Sequence, residues 1–309
     1  MIKSGKGGTF SGAEERMVFG YTVRYLRTPL GAMDAPPDMA ERRQTMDARG
    51  DEPIGDVTIE RCPDGPGRSE WLWPKRRSQS GAILFLHGSG MSKGSPASHR
   101  PLIARIVAAV GIPAFVVDYR LAPEHPFPSA LEDAVEAYRS LLLRVPAHAV
   151  AVMGDSAGGG LVLAMLLAAA AQGLAMPAAA VTLSAWTDLA VTGSAPDVDD
   201  PVVTQQKLRD AAATYLDGAD PFSPMASPLY GDLSSLPPLL MQVGSREIML
   251  ADTTRFAERA VEQGRDVRVS VYPGMTHVFQ LNALESPLAS EAIVEIARFV
   301  ETNISALVR

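Results

Sequence analysis

The chain is predicted to fold as an α/β protein: a mostly parallel sheet of eight strands with helices packed on both faces. Two observations carry that prediction. Short apolar segments alternate with helix-length segments over most of the 309 residues, the order expected when parallel strands are joined by crossover helices. Several of the short segments, Gly81–Leu86 above all, are apolar at every position; a strand covered on both faces reads this way, whereas a half-exposed strand alternates. Hydrophobic residues at 47% and charged residues at 20% supply a core of the required size.

In chain order, the first fifty residues mix polar and apolar types with several breakers. Glu14–Tyr25 is expected to form a short amphipathic helix. Pro29, Gly31, Pro36 and Pro37 interrupt the register before a second helix over Met39–Ala48. Ile54–Cys62 and Ser69–Trp73 read as two edge strands joined by the turn-rich Pro63–Gly67. Strands over Gly81–Leu86 and Pro113–Asp118 bracket a helix over His99–Val110, and a helix over Ser129–Leu143 leads to a strand at Ala149–Met153. The apolar run Leu161–Ala171 continues as a helix and is followed by a strand at Ala180–Ser184. Residues 191–220 break the rhythm, with Asp197, Asp199 and Asp200 ahead of a helix around Thr204–Tyr215. Strands at Leu239–Val243 and Val267–Tyr272 enclose a helix over Asp252–Gln263, and Glu291–Val300 forms a terminal helix.

The formal charge is 28 − 35 = −7, which provides no overall attraction to a phosphate backbone and argues against nucleic acid as a partner. The single Cys62 excludes an intrachain disulfide and a thiolate cluster, and is expected to be a buried structural thiol. No apolar stretch follows the basic residues of Met1–Phe10, so no secretory leader is expected, and Leu161–Ala171 is too short to span a membrane. A soluble, cytoplasmic protein is the expectation. The five histidines are scattered and none lies in H-E-x-x-H, so no metal is expected. The lysine and spacing of a phosphate-binding loop are also missing, so no nucleotide is expected.

Gly154-Asp-Ser-Ala-Gly158 matches G-x-S-x-G between a strand and a helix. Small residues at the two glycine positions permit a sharp crossing that leaves Ser156 exposed at the positive end of the helix, where a nucleophile is useful. Directly after the strand at residues 81–86 comes His87-Gly-Ser-Gly90, a second small-residue turn whose backbone N–H groups can converge on a developing negative oxygen.

Together with Asp118-Tyr-Arg-Leu-Ala-Pro-Glu-His-Pro-Phe-Pro128, Ser184-Ala-Trp-Thr-Asp188 and Gly274-Met-Thr-His277, these motifs resemble the bacterial hormone-sensitive-lipase family of α/β-hydrolases. The resemblance runs from about Ile54 to Arg298. It implies Ser156 as nucleophile, His277 as general base and then acid, and an acidic residue that orients the imidazole. Glu247 aligns with that acid where many members carry aspartate; Asp252, which would also make a good N-cap for the following helix, is the alternative. The N–H groups of Gly88, Ser89 and Ala157 are the expected oxyanion donors, with Ser89 standing where glycine is usual. Met91 and Trp186 are expected at the substrate pocket, with Met17, Phe19 and Tyr21 adding apolar surface. Asp155 is expected beside the pocket, pinning the oxyanion loop. Asp118, Arg120 and Glu124 are expected to form a salt-linked polar loop.

The resemblance further implies an N-terminal cap arm over residues 1–50, hydrolase core over 51–190, a second cap segment over 191–225, and core carrying the acid and histidine loops over 226–309. The implied activity is hydrolysis of small, fairly apolar short-chain acyl esters through an acyl-enzyme, with no cofactor. A small lactone or an acetylated natural product is an alternative substrate, and a non-catalytic ligand-binding relative the alternative of another class. A homodimer through the last strand and terminal helix is also implied.

Overall fold

A computed structural model describes residues 14–27, 29–63, 65–77, 80–193 and 199–306. The readings made for Met1–Phe10 and Asp197 lie outside these residues. Ten strands and seven α-helices are found among them: β1 (Glu14–Val18), β2 (Tyr21–Tyr25), α1 (Met39–Asp47), β3 (Val57–Arg61), β4 (Glu70–Pro74), β5 (Ala82–Leu86), α2 (Pro96–Val110), β6 (Ala114–Val117), α3 (Ser129–Leu142), β7 (Val150–Asp155), α4 (Ser156–Ala171), β8 (Ala179–Leu183), α5 (Gln205–Leu216), β9 (Leu239–Gly244), α6 (Met249–Glu262), β10 (Val267–Tyr272) and α7 (Pro287–Ala306). The main sheet has eight strands in the order β10-β9-β8-β7-β5-β6-β4-β3. Only the pairings of β4 with β3 and with β6 are antiparallel.

The apolar strands are buried on both faces, as their lack of alternation predicted. Ile83 and Phe85 of β5 join a core with α2 and α7, while Leu84 and Leu86 join a second core with α3, α4 and α6. Successive side chains therefore serve opposite layers. β7 and β5 lie mid-sheet, so the loops at their C-terminal ends, which carry Ser156 and His87–Gly90, are neighbours.

Four local readings are corrected by the structure. Glu14–Tyr25 is an antiparallel hairpin, not a helix. Phe19 and Gly20 take positive φ (48° and 84°) and make a two-residue turn, while Val18, Val23 and Tyr25 bury one face at strand spacing. The alternation of Tyr21, Val23 and Tyr25 with Thr22 and Arg24 carried that signal. α2 starts at Pro96 rather than His99, because Ser95 and Ser98 form a reciprocal cap and proline is favoured in the first turn. α6 starts at Met249, which places Asp252 inside its first turn rather than at its N-cap. Cys62, expected to be buried, is a half-buried free thiol.

The hairpin and α5 are joined. The N–H of Leu26 donates to Gly218, that of Asp220 to Arg24, and the Asp217 carboxylate accepts the amides of Leu30 and Gly31. α1 is anchored by Arg43, whose guanidinium grips both oxygens of Glu124 and the carbonyls of Ser92 and Ala122. Glu124 is thus salt-linked, but to α1 rather than to its sequence neighbours. Arg120 pairs with Asp133 and Glu132 of α3, and the Asp118 carboxylate accepts the amide of Arg68.

Candidate active site

Ser156 sits where β7 turns into α4, with φ of 51°. That left-handed conformation is strained for a residue with a side chain and persists only where its surroundings enforce it. The enforcing contacts are close backbone approaches. A Cβ on Gly154 would lie 2.5 Å from the carbonyl oxygen of Gly158, and one on Gly158 would lie 2.1 Å from that of Leu86. A Cβ on Gly160 would lie 2.0 Å from the Trp186 carbonyl oxygen. The glycines therefore let the helix start against the β5 and β8 loops, leaving the Ser156 hydroxyl half-buried beside a cavity of about 580 Å³.

The hydroxyl lies 2.9 Å from His277 Nε2, and His277 Nδ1 lies 2.9 Å from Glu247 Oε2. With the Nδ1 proton directed at the carboxylate, Nε2 is left as an acceptor for the serine hydroxyl. Glu247 is fully buried, and its other oxygen accepts from the hydroxyl of Ser184 and the amide of Gly244. Ser184 Oγ in turn accepts the N–H of Val278 at 3.0 Å. Sequence reasoning overlooked Ser184. It ties the Glu247 loop to the His277 loop, and its place in the Ser184–Asp188 motif was the available signal.

Asp252 is elsewhere. Its carboxyl group accepts the amides of Thr187 and Asp188, at 2.8 and 3.0 Å. Burial, with the nearby Asp188 carboxylate adding to it, pushes its pKa up to about 7. Asp188 is itself engaged by Arg255, Thr192 and Tyr230.

The glycine turn after β5 corrects one expectation. The N–H of Gly88 is donated to Asp155 Oδ1 at 3.0 Å, so it is not free for an oxyanion. Among the described residues no acceptor is found for the N–H groups of Ser89, Gly90 or Ala157. Ser89 and Gly90 line the cavity with φ of 88° and 69°, while Ala157 lies in the first turn of α4, whose amides lack intrahelical partners. The free amides are therefore displaced one residue along the turn from the predicted pair.

Asp155 lines the cavity, but its carboxylate is committed: Oδ1 to Gly88 and Oδ2 to His99 Nε2 at 3.3 Å. Burial by itself would raise its pKa; the adjacent His99 outweighs that and holds it below the ordinary value. His87 is buried on Tyr119, with ring centroids 4.3 Å apart, and Tyr119 donates to its carbonyl. Desolvation, reinforced by His99, lowers the His87 pKa to about 3, so this ring is neutral.

Trp186 lines the cavity. Met91 does not: it is 3% exposed and packed into the core. Met17 is exposed on the hairpin, and Phe19 and Tyr21 pack against the core without reaching the cavity wall. The remaining wall comes from Met46 and Arg49, from Ser92, Lys93 and His99, from Val202, Val203, Lys207, Leu208 and Ala211, and from Thr276, Val278, Leu281 and Asn282 after the last strand. Among the described residues no group of three or more His, Cys, Asp or Glu side chains could hold a metal ion, and no helix is long and apolar enough to cross a membrane.

The fold and the serine elbow define an α/β-hydrolase, and residues 83–281 match the family described as alpha/beta hydrolase fold. The chain belongs to the bacterial hormone-sensitive-lipase family of these proteins. An esterase of that family, known from its crystal structure, is similar with a TM-score of 0.78 and 36% identity, covering 88% of this chain and all of that one. A crystal of EstE5 soaked with p-nitrophenyl butyrate is similar with a TM-score of 0.82 and 35% identity, covering 90% of this chain and 95% of that one. An acetyl-hydrolase of Streptomyces hygroscopicus is 40% identical over 255 residues, 81% of this chain and 83% of the relative.

Proposed function

We propose that the protein is a serine carboxylesterase that hydrolyses short-chain acyl esters through an acyl-enzyme. The chain is a carboxylic ester hydrolase, in keeping with the esterases and acetyl-hydrolase it resembles. The observation that carries the serine mechanism is the continuous hydrogen-bonded path from Ser156 through His277 to Glu247 at the cavity wall.

Ser156 Oγ attacks the ester carbonyl while His277 Nε2 takes its proton. The carbonyl oxygen becomes an oxyanion that accepts from the N–H groups of Ser89, Gly90 and Ala157, each donor contributing roughly 3 to 4 kcal/mol. Collapse breaks the bond to the alcohol oxygen, and the His277 imidazolium returns its proton to that leaving group. A water then repeats the sequence on the acyl-enzyme and releases the carboxylic acid and Ser156. Glu247 accepts the Nδ1–H bond and stabilises the imidazolium in both halves.

Of the two segments assigned as the cap, 1–50 and 191–225, the described parts contribute Met46, Arg49, Val202, Val203, Lys207, Leu208 and Ala211 to the cavity wall, which supports substrates of limited size. One relative is named an acetyl-hydrolase and a crystal of another was soaked with p-nitrophenyl butyrate, which favours short acyl groups. Small lactones remain the second substrate class, because ring opening uses the same carbonyl attack. Cytoplasmic residence and a homodimer through β10 and α7 complete the reading; β10 is an edge strand with Val271 exposed, which supports such pairing.

The test is a p-nitrophenyl ester series from acetate upward, with simple lactones beside it. Activity is expected to peak at short chains and to vanish in Ser156→Ala. Full activity in that variant, or no hydrolysis of any member, refutes the proposal.

A further inference from the structure

The cavity that holds Ser156 is positively charged although the protein as a whole is acidic. Arg49, Lys93 and Lys207 all line it, and the net formal charge of the chain is −7. Among the described residues its one acidic wall residue, Asp155, is already held by Gly88 and His99. Among the described residues the side chains of Lys93 and Arg49 have no hydrogen-bond or ion-pair partner, and Lys207 only donates to the carbonyl of Val202. Lys93 is half-buried; its burial first, then Arg42, Lys207 and Arg49, lower its pKa, and among the described residues no carboxylate opposes them.

Cations gathered without counter-ions repel one another, which costs stability unless something offsets it. A cluster of this kind around the pocket also works against the fairly apolar ester that the family resemblance implies. Lys93 follows the oxyanion turn by three residues, Arg49 ends the α1 region and Lys207 lies in α5. The charges therefore come from three separate segments that meet around one opening.

We propose that the preferred substrate is an anionic ester: one whose acyl or alcohol part bears a carboxylate or comparable oxyanion, held by Lys93 with Arg49 and Lys207 while Ser156 attacks the ester carbonyl. This rests on the serine-esterase reading and adds a substrate class to it. The ammonium and guanidinium groups neutralise the remote anion, and the charge of the released acid or alcohol gives the product the same attraction, which salt weakens.

The test compares matched substrates. For charge on the alcohol side, para-acetoxybenzoate is set against para-acetoxybenzamide; for charge on the acyl side, the p-nitrophenyl monoester of glutaric acid is set against p-nitrophenyl valerate. Each kcat/KM is divided by the rate of hydroxide-catalysed hydrolysis of the same ester. In one of the two pairs the anionic member is expected to lead by about tenfold at low ionic strength, and the lead is expected to shrink severalfold at about 0.5 M salt. In Lys93→Met the ratio is expected to fall at least severalfold, Lys93→Arg is expected to restore it, and Lys207→Met is expected to lower it in part. A lead below about threefold in both pairs, or a ratio that Lys93→Met leaves unchanged, overturns the proposal.

Hydrolysis of the neutral esters reports separately on the serine-esterase reading. If even they are not turned over, calorimetric binding of benzoate against benzamide to the wild type and to Lys93→Met decides the charge preference on its own. Tighter benzoate binding that Lys93→Met weakens supports it, and equal binding refutes it.

Discussion

Replacing Glu247 by glutamine tests the acid of the proposed mechanism with little change of shape, and the surroundings determine which way the new amide turns. Glu247 Oε1 accepts from Ser184 Oγ and Gly244 N–H, so in Glu247→Gln the carbonyl oxygen must stay at that position. The NH2 group then falls at the site of Oε2, which is 2.9 Å from His277 Nδ1. A donor there forces the imidazole proton onto Nε2, the atom that faces Ser156 at 2.9 Å. His277 is thereby held as the wrong tautomer and loses the lone pair that should take the serine proton. The comparable change in a serine protease triad lowers kcat about 10⁴-fold, equivalent to roughly 5.5 kcal/mol of barrier. A loss of that order is expected in p-nitrophenyl acetate hydrolysis. In Asp252→Asn the oxygen can still accept the Thr187 and Asp188 amides, so kcat is expected to change by less than about threefold. Glu247→Gln retaining more than about a tenth of the activity, or Asp252→Asn losing as much, would refute the assignment.

Asp252 should instead appear in the stability profile. Its folded pKa is raised to about 7 from an ordinary carboxyl value, so folding binds a proton. Its favourable contribution is full below about pH 4, declines as pH rises and is lost by about pH 7. The unfolding free energy of Asp252→Asn should gain on the wild type by up to roughly 4 kcal/mol across that window; a constant difference would sink the idea. Ser184→Ala leaves a Glu247 oxygen one donor short and the Val278 N–H without its acceptor, both buried. A stability loss of about 1 to 3 kcal/mol and a drop in kcat of about tenfold are expected, read by denaturant titration and steady-state assay. Ser89 takes φ of 88°, so Ser89→Gly should raise stability by about 1 kcal/mol; a lower melting midpoint would mean that the serine side chain contributes more than the strain costs.

Much of the molecule is legible from local chemistry. Strands buried on both faces are apolar at most positions, so β5 to β9 announce themselves despite Asp155, Thr182 and Gln242, and alternation with helices implies the parallel sheet. A sharp strand-to-helix crossing tolerates no side chains where backbones touch, so Gly154 and Gly158 mark Ser156. Where two local signals compete, the reading failed. Glu14–Tyr25 has enough apolar residues for a helix face, and only the core that Val23 and Tyr25 enter makes the period of two decisive. The start of α6 was misplaced because Asp252 is a good N-cap residue by type, while its carboxyl is used across space by the loop after β8.

Glycine spacing and apolar runs are constraints between chain neighbours, and the fold, the elbow and the side chains available for chemistry there follow from them. Relations between distant segments emerge only once the chain is folded. Glu247 and not Asp252 meets His277 because parallel β9 and β10 bring their loops side by side, with Ser184 of the next strand's loop bridging them. Gly88 spends its amide on Asp155, a partner 67 residues away, and so shifts the free N–H groups to Ser89 and Gly90. The charge of the cavity emerges in the same way: Arg49, Lys93 and Lys207 are unremarkable in a chain of net charge −7 until the fold gathers them around one serine. Electrostatic energy depends on separation in space, which no spacing along the chain encodes.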